Sequence, residues 1–208
     1  LGTTFPQAAP ACGWWGDSEL SASREAAVVY SGGQTSIGGR FLIETPEQLT
    51  RQANRLRRLG VPGHAGAVRL YRQATESGYP PAQNNLGAMY EQGLGVAPDL
   101  AEAARWYRLA AGQGEASAQH SIGMLLIAGN GVERDMNAGI HWLEKSARQG
   151  HAPACADLGR LYASGGEHLE RDEHKAMFWW QQAKRYGHPA AAEALRVLPG
   201  TWSESNVE

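Results

Sequence analysis

The chain has 208 residues, with 19 basic and 21 acidic side chains and a formal net charge of -2. This balance excludes a strongly basic nucleic-acid-binding protein, because such proteins concentrate basic residues on one face. No apolar run approaches the eighteen or so residues that a membrane-spanning helix needs, so no membrane span is expected.

Residues 1–44 are predicted to form an N-terminal arm of non-repeated sequence. Apolar and β-branched stretches at Ala27–Tyr30 and Phe41–Ile43 flank a glycine-rich segment, which predicts a β-hairpin. That segment lacks the G-K-[ST] sequence of a phosphate-binding loop, so a hairpin tip is the better interpretation. Trp14 and Trp15 could stack on a sugar or peptide ligand, or could pack on the rest of the protein.

Helical signals begin at Thr45-Pro46-Glu47, where the threonine suits a helix cap and the proline suits the first helical position. The predicted helix ends at Gly60. Its arginine-rich part, RQANRLRR over residues 51–58, is interpreted as the solvated side of that helix. A second apolar pattern ends at Gly78, and residues 45–78 are predicted to be a degenerate first repeat with a shortened loop.

The segment 82–114 returns twice along the chain. Residues 118–150 repeat it after thirty-six positions, and residues 154–187 repeat it again with one residue inserted in the central loop. A period of this size indicates an array of helix pairs. Each unit begins with an amphipathic helix and continues through a glycine turn. Its second helix starts at an aspartate suited to capping, at Asp99, Asp135 and Asp172.

A glycine recurs inside the first helix of each unit, at Gly87, Gly123 and Gly159. Glycine costs about 1 kcal/mol relative to alanine in a helix interior, so its recurrence needs a physical reason. We expect the paired helix to approach closely there, with the recurrent tryptophans at positions 106, 142 and 179 filling the gap.

The pattern A-x-x-x-L-G-x-x-Y-x-x-G-x-G-V-x-x-D, followed by A-x-x-W-Y-x-x-A-A-x-x-G, resembles the Sel1-like repeat family, relatives of tetratricopeptide repeats. The first unit matches almost every position. The second has Leu126 and Leu143 in place of tyrosine, and the third has GGEHL in place of the G-x-G-V turn. The resemblance implies an all-α fold, a right-handed α-solenoid of antiparallel helix pairs. It also implies a role in holding protein partners, without catalytic residues.

The predicted organisation is therefore an N-terminal arm (1–44), a solenoid (45–200) and a disordered polar tail (201–208). Within the solenoid we expect the degenerate repeat, three full repeats and a capping helix, because terminal repeats commonly cap such arrays. Their predicted bounds are 45–78, 79–114, 115–150, 151–187 and 188–200.

In tetratricopeptide repeats the first helix of each pair lines the concave side, and this resemblance predicts a binding groove here. The expected groove positions are Asn84, Ala88, Glu91, His120, Met124, Ile127, Ala156, Arg160 and Ala163. Asn84 can hydrogen-bond a peptide backbone and Arg160 can bind a carboxylate. Met124 and Ile127 would form an exposed, adaptable apolar patch. The leading hypothesis is a non-enzymatic adaptor or scaffold that binds a protein or peptide in this groove.

Cys12 and Cys155 are the two cysteines of the chain. In an exported protein, a Cys12–Cys155 disulfide would tie the arm to the third repeat and add a few kcal/mol of stability. The alternative is one buried and one exposed thiol in a reducing compartment. We favour the disulfide and, with it, a periplasmic or secreted bacterial protein. The chain begins at Leu1 rather than Met, which a removed signal peptide would explain.

A small-molecule- or metal-binding accessory protein is the alternative function. The tryptophan pair of the arm could supply a ligand site, and His168 and His174 lie in or beside the acidic loop of the third repeat. None of the seven histidines shows a metal-ligand spacing such as H-E-x-x-H, and no Ser–His–Asp set is indicated. We expect no metal site, no cofactor and no enzymatic activity. The identity of the partner and the oligomeric state stay open.

Overall fold

The structure is a computed structural model that describes residues 34–37, 40–166 and 169–197. These residues form two β-strands, β1 (Gln34–Ile37) and β2 (Arg40–Ile43), and nine α-helices. The helices are α1 (Pro46–Arg58), α2 (Val61–Thr75), α3 (Pro80–Gln92), α4 (Leu100–Gly112), α5 (Ala116–Ala128), α6 (Met136–Arg148), α7 (Ala152–Ser164), α8 (Glu173–Arg185) and α9 (Ala191–Val197). The chain divides into residues 1–44 and residues 45–208, and each unit is described by itself.

The two strands form an antiparallel hairpin in which Gln34 pairs with Ile43 and Ile37 pairs with Arg40. The first strand begins inside the segment that was expected to form the tip, and two residues separate the strands, which is the commonest hairpin connection. The predicted strand Ala27–Tyr30 lies outside the described residues, as does the tryptophan pair of the arm.

The nine described helices pack in consecutive pairs, α1 with α2, α3 with α4, α5 with α6 and α7 with α8. Each pair also packs on the next, and α9 packs against α8. The all-α solenoid prediction is therefore confirmed. The apolar core follows the array as three successive clusters, whose buried residues lie on α1 to α3, on α4 and α5, and on α6 to α9. The predicted tail at residues 201–208 lies outside the described residues.

The capping signals that the sequence indicated are confirmed. Thr45 and Gln48 form a reciprocal capping box, in which each side chain accepts a hydrogen bond from the other residue's backbone N–H. Asp99 accepts hydrogen bonds from two backbone N–H groups at the start of α4. Asp135 and Asp172 accept equivalent bonds, both of 2.9 Å, at the starts of α6 and α8. These bonds satisfy helix N–H groups that have no partner within the helix.

The glycines inside the first helices do mark a close approach, but the predicted contact residue is wrong. A Cβ on Gly87 would lie 2.8 Å from Tyr107 Cε1, and one on Gly159 would lie 2.8 Å from Trp180 Cδ1. The gap-filling residue is thus one position later than the predicted tryptophan. Successive helical residues point about 100° apart, which turns Trp106 towards the core cluster of the preceding repeat instead.

Candidate binding groove

All the predicted groove positions lie on the first helices of the pairs: Asn84, Ala88 and Glu91 on α3, His120, Met124 and Ile127 on α5, and Ala156, Arg160 and Ala163 on α7. We call the face of α1, α3, α5 and α7 that carries them the first-helix surface. Glu91 and Arg160 are exposed there, whereas Ala156 is buried and the others are half-buried. The positions therefore differ in what they offer to a partner.

A charged cluster joins α5 to α7 on the first-helix surface. His120 Nε2 lies 2.8 Å from Asp157 Oδ2, and Arg160 donates a 2.6 Å hydrogen bond from Nη2 to Asp157 Oδ1. Burial acts to raise the pKa of Asp157, but the hydrogen bonds from His120 and Arg160 outweigh it and hold that pKa below its ordinary value. The Arg160 side chain is still 62% exposed, so most of its guanidinium can reach a ligand.

A second histidine lies against this cluster. The ring centroids of His120 and His151 are 5.2 Å apart, and His151 is the residue that precedes the first turn of α7. Burial lowers the pKa of His151, and the proximity of His120 lowers it further. The sequence indicated a helix-start position for His151, and that is where it lies, although its side chain makes no capping hydrogen bond.

The predicted groove residues on α3 take more part in the hydrogen bonding and packing of the fold than the sequence indicated. Glu91 accepts a 2.6 Å hydrogen bond from the Tyr107 hydroxyl, so one of its carboxylate oxygens is already occupied. Burial, and then this hydrogen bond, raise the pKa of Tyr107. Ala88 packs against the core cluster formed by α4 and α5. Asn84 is the exception, because its Oδ1 is shielded from solvent and has no hydrogen-bond partner among the described residues.

The expectation that Met124 and Ile127 form an exposed patch is wrong. Both are half-buried and pack against the core cluster formed by α6, α7 and α8. Ile127 in particular fills the space over Gly139, where an added Cβ would lie 2.5 Å from Ile127 Cγ1. Their apolar surface is therefore mostly used in packing against α6 of their own repeat and against the third repeat.

Several polar contacts of the first-helix surface were missed. Asn54 Oδ1 on α1 accepts a 2.6 Å hydrogen bond from the Tyr71 hydroxyl and a 3.3 Å bond from Asn85 on α3. Asn85 and Asp157 occupy the same repeat position, with Ser121 between them in the array. Each unit has a polar residue at that position, and this recurrence was the signal that could have identified these contacts.

An apolar cleft of about 460 Å³ continues the first-helix surface towards the C-terminal end of the array. Its wall is formed by Arg160 and Ala163 of α7, Trp180 of α8, and Ala194 and Val197 of α9. Two of these residues, Arg160 and Ala163, are predicted groove positions. The cleft therefore places apolar surface directly beside an exposed guanidinium.

Metal ligands and thiols were also considered at the sequence level. Among the described residues, no group of three or more histidine, cysteine, aspartate or glutamate side chains could hold a metal ion. His174 is exposed on α8, while His168 lies outside the described residues. Cys155 is fully buried, and burial raises the pKa of its thiol to about 11. Its predicted disulfide partner, Cys12, lies outside the described residues. No helix in the described part of the chain is long and apolar enough to cross a membrane.

Paired helices stacked in chain order, with a polar surface on the first helix of each pair, define an α-solenoid repeat protein. The Sel1 repeat model matches residues 59–79, 80–115, 116–151 and 152–188, more than half of the chain. The chain belongs to the Sel1 repeat family, as its repeated motif predicted. Proteins of this family are generally protein-interaction scaffolds.

Two solved structures illustrate the likeness. A Sel1 repeat protein from Oxalobacter formigenes is 30% identical, with a TM-score of 0.67, over 73% of this chain and 62% of that one. The protein c5321, described as a protective antigen present in uropathogenic Escherichia coli strains, is 26% identical with a TM-score of 0.67. That match covers 73% of this chain and 33% of c5321, so this chain spans less than two thirds of either relative. A comparison with curated proteins gave no match.

Proposed function

We propose that this protein is a non-enzymatic adaptor that holds a protein or peptide segment on its first-helix surface. The observation that carries the proposal is unused hydrogen-bonding capacity on that surface. Asn84 Oδ1 has no partner among the described residues, and the Arg160 guanidinium is mostly exposed. An unpaired, shielded acceptor costs about 1–3 kcal/mol, so a partner that displaces the groups covering Asn84 Oδ1 and donates to it would recover that free energy.

The cleft beside Arg160 supports the same proposal. Binding sites combine apolar surface with a few polar groups that fix orientation. Here Trp180, Ala194 and Val197 supply apolar surface, and Arg160 supplies a charged donor at the edge. A peptide that places an apolar side chain in the cleft and a carboxylate on Arg160 would use both features. Asn84, two repeats earlier, would then bond its backbone.

The test is a double variant, Asn84→Ala with Arg160→Ala, compared with the wild type in affinity capture from extract of the source cells. His120 is kept, because it and Arg160 both bond Asp157, and removing both would leave a half-buried carboxylate without a partner. We expect at least one protein held by the wild type to be depleted about tenfold, the effect of losing about 1.4 kcal/mol of binding free energy.

The matched control is Asn137→Ala with Arg148→Ala on α6. Asn137 and Arg148 are both exposed, whereas Asn84 is half-buried, and Arg148 bonds Glu144 within its helix much as Arg160 bonds Asp157. Capture by this control should equal capture by the wild type. Equal capture by the groove variant, with all three proteins showing the same melting temperature, would remove the first-helix surface from consideration.

The alternative of a metal- or small-molecule-binding accessory protein gains no support from the described residues, among which no group of three or more histidine, cysteine, aspartate or glutamate side chains could hold a metal ion. We also propose that the protein is exported to the periplasm or secreted by a bacterium. Both relatives described above are bacterial, and the two cysteines could be bridged in an oxidising compartment. Thiol titration in denaturant without reductant tests this on protein taken from its source, since two free thiols would exclude the bridge.

A further inference from the structure

The outward face of α1 carries an unusual set of charges. Arg51, Arg55 and Arg58 are all exposed and follow the spacing i, i+4, i+7, which aligns them along one side of the helix. They lie opposite Leu49 and Ala53, which are buried against the rest of the array. At 1.5 Å per residue, the row extends for about 10 Å. We call these three side chains the α1 arginine row.

The arginine row lacks the pairing found elsewhere in the array. Arg105, Arg148 and Arg196 each bond a glutamate three or four residues away on their own helix. Within the described part of the chain, no ion pair or hydrogen bond engages the side chains of the arginine row. α1 contains four arginines and one glutamate, so the helix carries a net charge of +3. The solvated face that the sequence predicted therefore carries an excess of positive charge, although Glu47 lies near enough to Arg51 for their charges to attract.

Exposed apolar side chains lie at the end of the same helix. Leu59, the residue that follows α1, is 64% exposed, and Val61, at the start of α2, is 83% exposed. They are among the most exposed large apolar residues of the described chain. A row of arginines followed by exposed apolar side chains suits a partner segment that has carboxylates followed by an apolar side chain. Interfaces match opposite charges around apolar contacts.

We infer that the α1 arginine row, with Leu59 and Val61, is a second docking surface that binds an acidic segment of a partner protein. The segment would present carboxylates along about 10 Å, followed by an apolar side chain. Arginine suits this role because its planar guanidinium can bond a carboxylate through two N–H groups. The inference uses none of the residues on which the proposed function depends, since Asn84 and Arg160 take no part in it, so either can fail without the other.

The experiment measures binding of a labelled twenty-residue poly-glutamate peptide to the full chain by fluorescence anisotropy at low salt. The variant reverses the row with Arg51→Glu, Arg55→Glu and Arg58→Glu. The matched control is Arg108→Glu with Arg185→Glu, two exposed arginines of α4 and α8 that also make no ion pair among the described residues. We expect the row variant to weaken binding about tenfold or more, and the control less than about twofold.

Two further measurements sharpen the inference. A peptide in which every fourth glutamate is replaced by leucine should lose about threefold in affinity when Leu59→Ser and Val61→Ser are introduced, because about 0.7 kcal/mol of apolar contact is removed. Binding of plain poly-glutamate should not respond to that pair. Raising the salt from 50 to 500 mM should weaken wild-type binding strongly, since exposed charges are screened.

Several results would overturn the inference. One is equal affinity for poly-glutamate in the wild type and in the row variant. Another is tighter binding to vesicles with phosphatidylserine, or to a twenty-base-pair DNA duplex, than to either peptide. A third concerns the arm, whose sequence carries Asp17, Glu19 and Glu25. If neutralising these three residues raises the affinity for poly-glutamate several-fold, the chain itself supplies the acidic segment.

Discussion

The second and third repeats share a period but are joined to their predecessors in different ways. In the second, the buried Gln119 accepts a 2.8 Å hydrogen bond from Gln149 and donates to the Ala111 carbonyl. In the third, the equivalent positions hold Cys155 and Tyr186. Cys155 contacts the Ala147 carbonyl only weakly, at 3.9 Å, and the Tyr186 ring packs over Gly150.

The comparison shows that the repeat period determines where the helices lie. The contacts that join one repeat to the next, which we call joints, depend instead on individual residues. The glutamine bridge recurs in the first full repeat, where Gln113 bonds Gln83 at 2.8 Å. Each glutamine–glutamine bond joins the two helices of one pair, and in the second repeat Gln119 and Gln149 also donate to the Ala111 and Gly114 carbonyls of the preceding repeat. The third joint replaces that bridge by apolar packing, and it is the joint nearest the cleft beside Arg160. The cleft beside Arg160 thus lies in a repeat that lacks the glutamine bridge.

Among substitutions that compare these two repeats, we expect those in the loops to differ most in their effect on the free energy of unfolding. Gly131 has φ +68, and a Cβ there would lie 2.3 Å from the Leu100 carbonyl carbon, at the start of the preceding repeat's second helix. Gly131→Ala should therefore lower the free energy of unfolding by about 3 kcal/mol. The corresponding fall in melting temperature, measured by circular dichroism, is about 10 °C.

The control for this prediction lies in the third repeat. Gly166 has no positive φ, and no atom of the described residues lies within 4 Å of an added Cβ there. Gly166→Ala should change the free energy of unfolding by less than about 0.5 kcal/mol. Similar losses in the two variants would show that the loops of the two repeats are equivalent after all.

Substitutions at the joints should show the next largest difference in the free energy of unfolding. Gln119→Ala leaves the Gln149 amide and the Ala111 carbonyl without their side-chain partner, which should cost about 2 kcal/mol. Cys155→Ala removes one buried sulfur and should cost about 1 kcal/mol. Urea denaturation gives both values. A larger loss for Cys155→Ala than for Gln119→Ala would contradict this order and would favour the Cys12–Cys155 disulfide.

The sequence predicted the backbone better than the surface. Helix starts followed from local chemistry, as at Thr45 and Asp99, where a side chain satisfies N–H groups only two or three residues away. The close approach at Gly87 was also predictable, since glycine inside a helix indicates a missing side chain. The residue filling that space was not, because the choice between Trp106 and Tyr107 depends on the rotation of one helix against another.

The groove was predicted less well because its side chains interact between repeats. Periodicity placed Met124 and Ile127 on the first-helix surface but could not show that the following repeat covers them. Periodicity also placed His120 and Arg160 at separate groove positions, whereas Asp157 bonds both of them. The bond between His120 and Asp157 joins residues thirty-seven positions apart, and no local pattern in the chain specifies it.

The smallest expected difference is in how pH affects stability at the start of the first helix of each repeat. α5 is capped by the Glu115 carboxylate, which bonds Ala118 N–H, whereas α7 begins at His151 without a side-chain cap. Burial lowers the pKa of His151, with His120 and Asp157 as its charged neighbours and Arg160 behind Asp157. A histidine whose pKa is lower in the folded state contributes full stability above the unfolded value of about 6.5. That contribution is lost as the pH falls from there through the folded pKa.

We therefore expect the melting temperature to decrease between pH 7 and pH 5, and to decrease less in His151→Gln, which cannot be protonated. His174→Gln, at an exposed position of α8, should keep the wild-type pH dependence. The depressed pKa of Asp157 acts in a lower window, since its stabilisation is present above about pH 4 and is lost below it. A His151→Gln profile parallel to that of the wild type above pH 5 would assign the acid sensitivity elsewhere. The start of the third repeat would then be no more pH-dependent than the start of the second, where a carboxylate caps the helix.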